Sequence, residues 1–172
     1  VSCTVAEQIE AGVLPEPAEI LVPIGTGGTF AGLVLGAKLA GLRARIVGVL
    51  VTDILPPNPA RLARLARASL ALLRRHEPSL AAVEVTPADF EVVRAQLGPG
   101  YGATTPAAEA AVLACREAGL ALETTYTAKC MAEVLARLGA CTRIGGDYAK
   151  DVGATSNIPV CQTSNVVWWT AD

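Results

Sequence analysis

Residues 20–33 read ILVPIGTGGTFAGL, and the fold turns on how this stretch is parsed. Ile20 to Ile24 is a short apolar run of the kind that forms strands buried on both faces. Gly25, Thr26, Gly27 and Gly28 break it, because glycine permits positive φ and a close approach of a ligand to the backbone. A helix rich in small residues, FAGLVLGAKLA, follows and ends near Gly41. The start of that helix leaves unpaired N–H groups at its positive dipole end, a ready place for a phosphate. The hydroxyls of Thr26 and Thr29 add donors. The spacing is not G-x-x-x-x-G-K-[ST], which argues against a nucleotide P-loop. It is also not a full G-x-G-x-x-G, since position 30 is Phe30 and the next glycine is Gly32. Taken alone, the loop is equally a plain strand-to-helix turn that uses glycine for geometry and threonine as a cap.

Outward from the loop, apolar runs alternate with helical patterns. Ser2 to Ala11 reads as the end of a helix, closed by Gly12 and then by Pro15 and Pro17. Ala44 to Val51 is a second strand, and ILPPNP is a loop. Pro59 to His76 is a strongly amphipathic helix. Val83 to Val85 reads as extended or irregular, and Pro87 to Leu97 as helical, with Pro87 in the first turn. Thr105 is placed to cap a helix from Pro106 to Glu117, which Gly119 stops. Thr127 to Leu138 is the last long helix, and a strand is expected at Val166 to Trp169. Strand–helix alternation of this kind implies a parallel sheet with right-handed crossovers. Pro23 is unusual for a central strand, because proline lacks the N–H of a ladder.

Composition narrows the function classes. A chain of 172 residues with 52% apolar residues suffices for one domain with a real core. Charged residues are 17% and aromatics 4%, so Ala, Val, Leu and Ile must build that core. Lysine and arginine number 14 against 16 acidic residues, and no basic block favours nucleic acid. Arg61, Arg64 and Arg67 read as a solvated helix face. The cysteines at 3, 115, 130, 141 and 161 form no metal-ligand spacing, and their scatter suits a reducing cytoplasm. The single histidine, His76, follows Arg74 and Arg75 at a helix end, where a cation meets the negative dipole. No signal peptide and no 18-residue apolar run is visible, so a membrane partner is not expected.

Two segments carry a family resemblance. GTGGTFAG at residues 25–32 resembles the phosphate-cradling loop of fold-type II pyridoxal-phosphate enzymes. The stretch 98–131, GPGYGATTPAAEAAVLACREAGLALETTYTAKCM, resembles the D-cysteine desulfhydrase and aminocyclopropane-carboxylate deaminase branch. In that branch a Gly-Tyr-Gly turn precedes a helix, and a Tyr-Thr-Gly-Lys or Tyr-Glu-Gly-Lys element comes later. Here these are Gly100-Tyr101-Gly102 and Tyr126-Thr127-Ala128-Lys129, with alanine where the family has glycine. The resemblance implies a three-layer α/β fold of the tryptophan synthase beta type, present here in part. Residues 1–138 would be a portion of the larger, cofactor-binding domain, and 139–172 a tail of weak match, native or foreign.

The resemblance also implies roles. Gly25, Thr26, Gly27, Gly28 and Thr29 would hold the phosphate of pyridoxal 5'-phosphate. Tyr101 and Tyr126 match tyrosines that face the substrate, and a phenol there can act as general acid or base. Thr127 stands where deaminases carry a glutamate near the pyridine nitrogen, which points to desulfhydrase chemistry. Thr170 matches a threonine that approaches the ring, although Ala171 replaces the glycine that follows it. The family's cofactor-bearing lysine lies far upstream of the glycine loop, and none of Lys38, Lys129 and Lys150 matches it. The expectation is thus the C-terminal part of a cytoplasmic, homodimeric enzyme that converts a small amino acid such as D-cysteine to pyruvate, ammonia and sulfide. The part alone would be inactive. Alternatives are an aminocyclopropane-carboxylate deaminase, a non-catalytic phosphate-ligand module, or a subunit completed by another chain.

Overall fold

Strand β1 (Glu19–Ile24) pairs in parallel with β2 (Arg45–Leu50), Glu19 opposite Arg45 and Ile24 opposite Leu50. The structure is a computed structural model and describes residues 2–54, 57–117, 119–141 and 166–168. Two short strands complete a parallel sheet of order β3-β2-β1-β4, with β3 at Glu91–Val93 and β4 at Val166–Trp168. The expected three-layer α/β architecture is thus present. Among the described residues the β1–β4 ladder runs from Glu19 to Leu21.

The strands alternate between two cores, as the period of two requires. Ile20, Val22, Ile24, Ile46 and Leu50 face one core, whose helices are α1 (Ser2–Glu10), α2 (Gly28–Leu39) and α3 (Pro59–His76). Leu21, Val47 and Val49 face the other, formed with α4 (Pro106–Glu117) and α5 (Thr127–Cys141). Helix α2 is buried along most of its length because it lies against both the sheet and α3. Its Phe30 is fully buried and meets Phe90 edge-on, ring centroids 5.5 Å apart. Gly48 makes that approach possible. A Cβ there would come within 2.8 Å of Phe30, so the glycine in the strand marks a close contact.

Helix α3 runs over the expected residues. Asn58 accepts the Arg61 N–H at 2.8 Å, Pro59 fills the first turn, and Leu62, Ala63, Ala66 and Leu70 form the buried stripe. The Thr105 hydroxyl caps α4 by accepting the Ala108 N–H at 3.1 Å. The helix expected over Pro87 to Leu97 is not there. Only a 3₁₀ turn forms at Pro87–Asp89, where the Asp89 carboxylate accepts the Thr86 N–H at 2.7 Å. The chain then extends, and Glu91–Val93 joins the sheet beside β2. The β-branched pair Val92-Val93 and the anchoring of Phe90 on Phe30 outweigh the local helical pattern.

Ion pairs tie the opposite, N-terminal ends of the strands together. Arg137 of α5 reaches Glu19, Glu91 and Glu133, each at 2.9 Å, and Arg45 bridges Glu19 and Glu91. Burial disfavours the Arg137 charge, but the three carboxylates outweigh it and hold its pKa above the usual arginine value. This cluster lies at the end of the sheet away from the glycine loop and braces it.

Candidate active site

The glycine loop leaves the C-terminal end of β1, where the chain's path through the sheet diverges toward β2 on one side and β4 on the other. Ligands of open α/β sheets bind at such a switch point, beyond the carboxyl ends of the strands. A cavity of about 590 Å³ opens there. Gly25, Thr26, Gly27, Gly28, Thr29, Tyr101, Tyr126 and Thr127 all line it, together with Thr52 and Glu123. Residues up to 102 positions apart in sequence, from Gly25 to Thr127, therefore meet in one place. Thr170 lies outside the described residues.

The loop has two kinds of glycine. Gly27 is the residue before α2, with φ 91°, and no side chain caps the helix. A Cβ on Gly27 would strike Leu62 of α3 at 2.5 Å and Pro57 at 3.2 Å. Its lack of a side chain therefore serves the packing of loop on helix, not the approach of a ligand. Gly28 is the opposite case, since a Cβ there would meet nothing within 4 Å and φ is not positive. Ala31 is the first residue whose N–H enters the helical ladder, on the Gly27 carbonyl at 2.9 Å. The N–H groups of Gly28, Thr29 and Phe30 stand before it, at the positive end of the dipole. Open space over Gly28, an uncapped helix start and the exposed Thr26 and Thr29 hydroxyls together fit a phosphate ester.

The two phenols face each other across the cavity wall. The Tyr126 hydroxyl donates to that of Tyr101 at 3.1 Å, and the rings are edge-on with centroids 6.0 Å apart. That hydrogen bond, then burial and the charges of Tyr101 and Glu123, push the Tyr126 phenol above the usual tyrosine value. Tyr126 therefore keeps its proton at neutral pH and is a donor in the site.

Thr127 is less free than its position suggests. Its hydroxyl accepts the Glu123 N–H at 2.9 Å and donates to the Glu123 carbonyl at 3.0 Å. Glu123, which sequence reading missed, accepts the N–H groups of Thr125, Tyr126 and Thr127 at 2.7, 2.6 and 2.6 Å. Burial pushes its carboxyl up, but these amide donors prevail and hold it below the usual carboxylate value. An acidic residue just before a helix start is the signal that could have found it. The described lysines sit elsewhere. Lys38 bonds the Glu84 carbonyl at 2.9 Å and pairs with Asp89 at 2.7 Å, and Lys129 is buried against backbone carbonyls. Among the described residues no lysine lines the cavity, and no set of His, Cys, Asp and Glu could hold a metal.

Comparison with known proteins agrees with this geometry. A family model described as "Pyridoxal-phosphate dependent enzyme" matches residues 2–154. The chain belongs to the pyridoxal-phosphate-dependent enzyme family. Its cofactor is pyridoxal phosphate. Among solved structures, the chain is similar to one described as "Crystal Structure Analysis of the ACC deaminase homologue", with a TM-score of 0.60 and 27% identity. That match covers 80% of this chain and 40% of the other, so the chain spans less than half the length of that relative. No curated protein sequence matches. No helix among the described residues of this pyridoxal-phosphate family member is long and apolar enough to cross a membrane.

Proposed function

We propose that this chain supplies the phosphate cradle and two phenols of a D-cysteine desulfhydrase-like enzyme, which releases pyruvate, ammonia and sulfide from its substrate. The observation that carries the choice is Thr127, whose hydroxyl is engaged by the backbone of Glu123. The Glu123 carboxylate is itself loaded with three amide donors, so neither residue offers a free carboxylate. When bound, the cofactor supplies an electron sink for the pair left behind by the α-proton. A carboxylate beside its ring nitrogen would strengthen the sink, and a hydroxyl does so less. Loss of sulfide, a good leaving group, tolerates the weaker sink better than the opening of a cyclopropane ring does. Around it, the N–H groups of Gly28 and Thr29 and the hydroxyls of Thr26 and Thr29 hold the phosphate, Tyr126 holds a proton, and Tyr101 orients it. The rival reading, an aminocyclopropane-carboxylate deaminase, is favoured by the similarity to the deaminase homologue.

In this reading residues 1–138 are part of the larger domain of a homodimeric cytoplasmic enzyme, and a lysine outside this chain carries the cofactor. The test joins the chain to a lysine-bearing upstream half and compares pyruvate release from D-cysteine with α-ketobutyrate release from aminocyclopropane-carboxylate. Pyruvate release is expected to dominate, and Thr127→Glu to move the ratio toward α-ketobutyrate. Faster deamination in the unmodified enzyme would favour the rival.

A further inference from the structure

Lys129 has no exposed surface and is not among the residues that line the cavity. The Nζ donates to the Leu97 carbonyl at 2.8 Å and to the Gly100 carbonyl at 3.1 Å, at either end of the turn that precedes Tyr101. From the other side, Asp53, just past β2, accepts the Tyr101 N–H on Oδ1 at 3.1 Å. The turn passes close against that carboxylate. Gly100 has φ +142°, and a Cβ on it would lie 3.0 Å from both carboxylate oxygens of Asp53. Tyr101 is 49% exposed, so packing alone does little to fix where its hydroxyl sits. Its place depends on the backbone that carries it.

Resting on the reading of Tyr101 and Tyr126 as the phenols that face substrate, we propose that Lys129 and Asp53 are positioning residues. They clamp the turn at 97–101 from α5 and from the segment after β2, and so hold the Tyr101 hydroxyl where it accepts from Tyr126. The energetics agree with a purpose beyond filling space. A buried ammonium is costly, and an apolar residue of similar volume is often at least as stable in such a place. Burial does hold the Lys129 ammonium below the usual lysine value, against the opposing charges of Asp53 and Glu123. What the ammonium provides, and a methionine would not, is a pair of donors to two backbone carbonyls of one turn.

The test reads the phenol pair in the intact chain, without cofactor or substrate. Tyrosines labelled with carbon-13 at Cζ, assigned through Tyr101→Phe and Tyr126→Phe, report each phenol's titration. The unmodified Tyr126 is expected to titrate above ordinary tyrosine. Asp53→Ala and Lys129→Met should each bring its midpoint back toward the ordinary value, as Tyr101 drifts from bonding distance. Asp53→Asn removes the same charge but keeps the Oδ1 acceptor, and should retain the raised midpoint. A folded Asp53→Ala or Lys129→Met chain whose Tyr126 midpoint stays in place overturns the proposal, as does Asp53→Asn behaving like Asp53→Ala. Where Lys129→Met does not fold, the Asp53 pair decides. Because no turnover is measured, the clamp stands or falls separately from the proposed elimination.

Discussion

The Thr127 hydroxyl is held by the backbone of a single residue, accepting the Glu123 N–H at 2.9 Å and donating to the Glu123 carbonyl at 3.0 Å. In return the Glu123 carboxylate accepts the Thr127 N–H at 2.6 Å. The two residues thus close the start of α5 reciprocally, with Tyr126 between them. A hydroxyl has one proton and two lone pairs. Thr127 spends the proton and one lone pair on Glu123, which leaves one lone pair toward the cavity.

This reciprocal cap gives the site an acid limit. Glu123 sits below the usual carboxylate value because its amide donors outweigh burial. A carboxyl depressed in the folded state adds stability above its unfolded value, near ~4.3, and that stability is lost as pH falls through the folded value. Acidification should therefore loosen the start of α5. Protection of the Thr125, Tyr126 and Thr127 amides against hydrogen exchange, relative to the intrinsic rate at each pH, is expected to fall as the pH drops through the depressed Glu123 value and to stay high at neutral pH. In Glu123→Gln the exchange should be faster at neutral pH and should lose this acid step. An unchanged acid step in that variant would assign it to another carboxylate.

The two glycines of the loop predict opposite phenotypes. A Cβ at Gly28 meets nothing within 4 Å, and Gly28→Asp puts an acid at the first turn of α2, which favours the helix dipole. Its melting temperature should equal or exceed that of the parent, while affinity for inorganic phosphate and for pyridoxal phosphate falls at least tenfold. Gly27→Ala forces a side chain into positive φ and against Leu62, and should cost about 1–3 kcal/mol of stability. Calorimetric melting and phosphate titration together separate the two. Retained phosphate affinity in Gly28→Asp would place the anion elsewhere.

Much of this fold is legible in local pattern, and its gaps have a common cause. The alternation in β1 and β2, the Asn58-Pro59 start of α3 and the Thr105 cap are each readable within a few residues of chain. The segment 90–93 is not, because its extended form comes from pairing with β2 and from the contact of Phe90 with Phe30. The site divides the same way. The glycine loop and the Gly-Tyr-Gly turn carry local signatures, and both do line the cavity. Thr52 and Asp53 carry none, and Glu123 only its place before a helix, since the sheet alone brings the end of β2 and the start of α5 to the loop. That Gly27 packs against α3 while the space over Gly28 is open is likewise not readable locally, since it depends on where α3 lies.

The described lysines predict the outcome of cofactor trapping. Lys38 is paired with Asp89 and the Glu84 carbonyl, and Lys129 is sealed beneath the turn at 97–100. Neither lines the cavity. Incubation of the chain with pyridoxal phosphate, borohydride reduction and peptide mass spectrometry should find no stoichiometric adduct on either lysine. A full adduct on Lys129 that is abolished by Gly28→Asp would show instead that its amine reaches the cradle.

Substitutions at Thr127 separate its hydroxyl from its shape. Thr127→Val keeps the branched side chain but removes both bonds to Glu123, leaving a partly buried N–H and carbonyl without that partner. Burying a polar group unsatisfied costs about 1–3 kcal/mol. Thr127→Ser keeps the hydroxyl and gives up one methyl, worth about 1 kcal/mol where burial is complete. Serine should therefore melt close to the parent and valine clearly below it. The same pair should order the fluorescence and exchange behaviour of neighbouring Tyr126, whose N–H hangs on the Glu123 carboxylate at 2.6 Å. In serine the carboxylate keeps its place and Tyr126 keeps its bond to Tyr101. In valine the cap opens, the Tyr126 amide exchanges faster, and its phenol titrates nearer the ordinary value. Equal melting of the two variants would mean that the methyl, not the hydroxyl, is what α5 requires at this position.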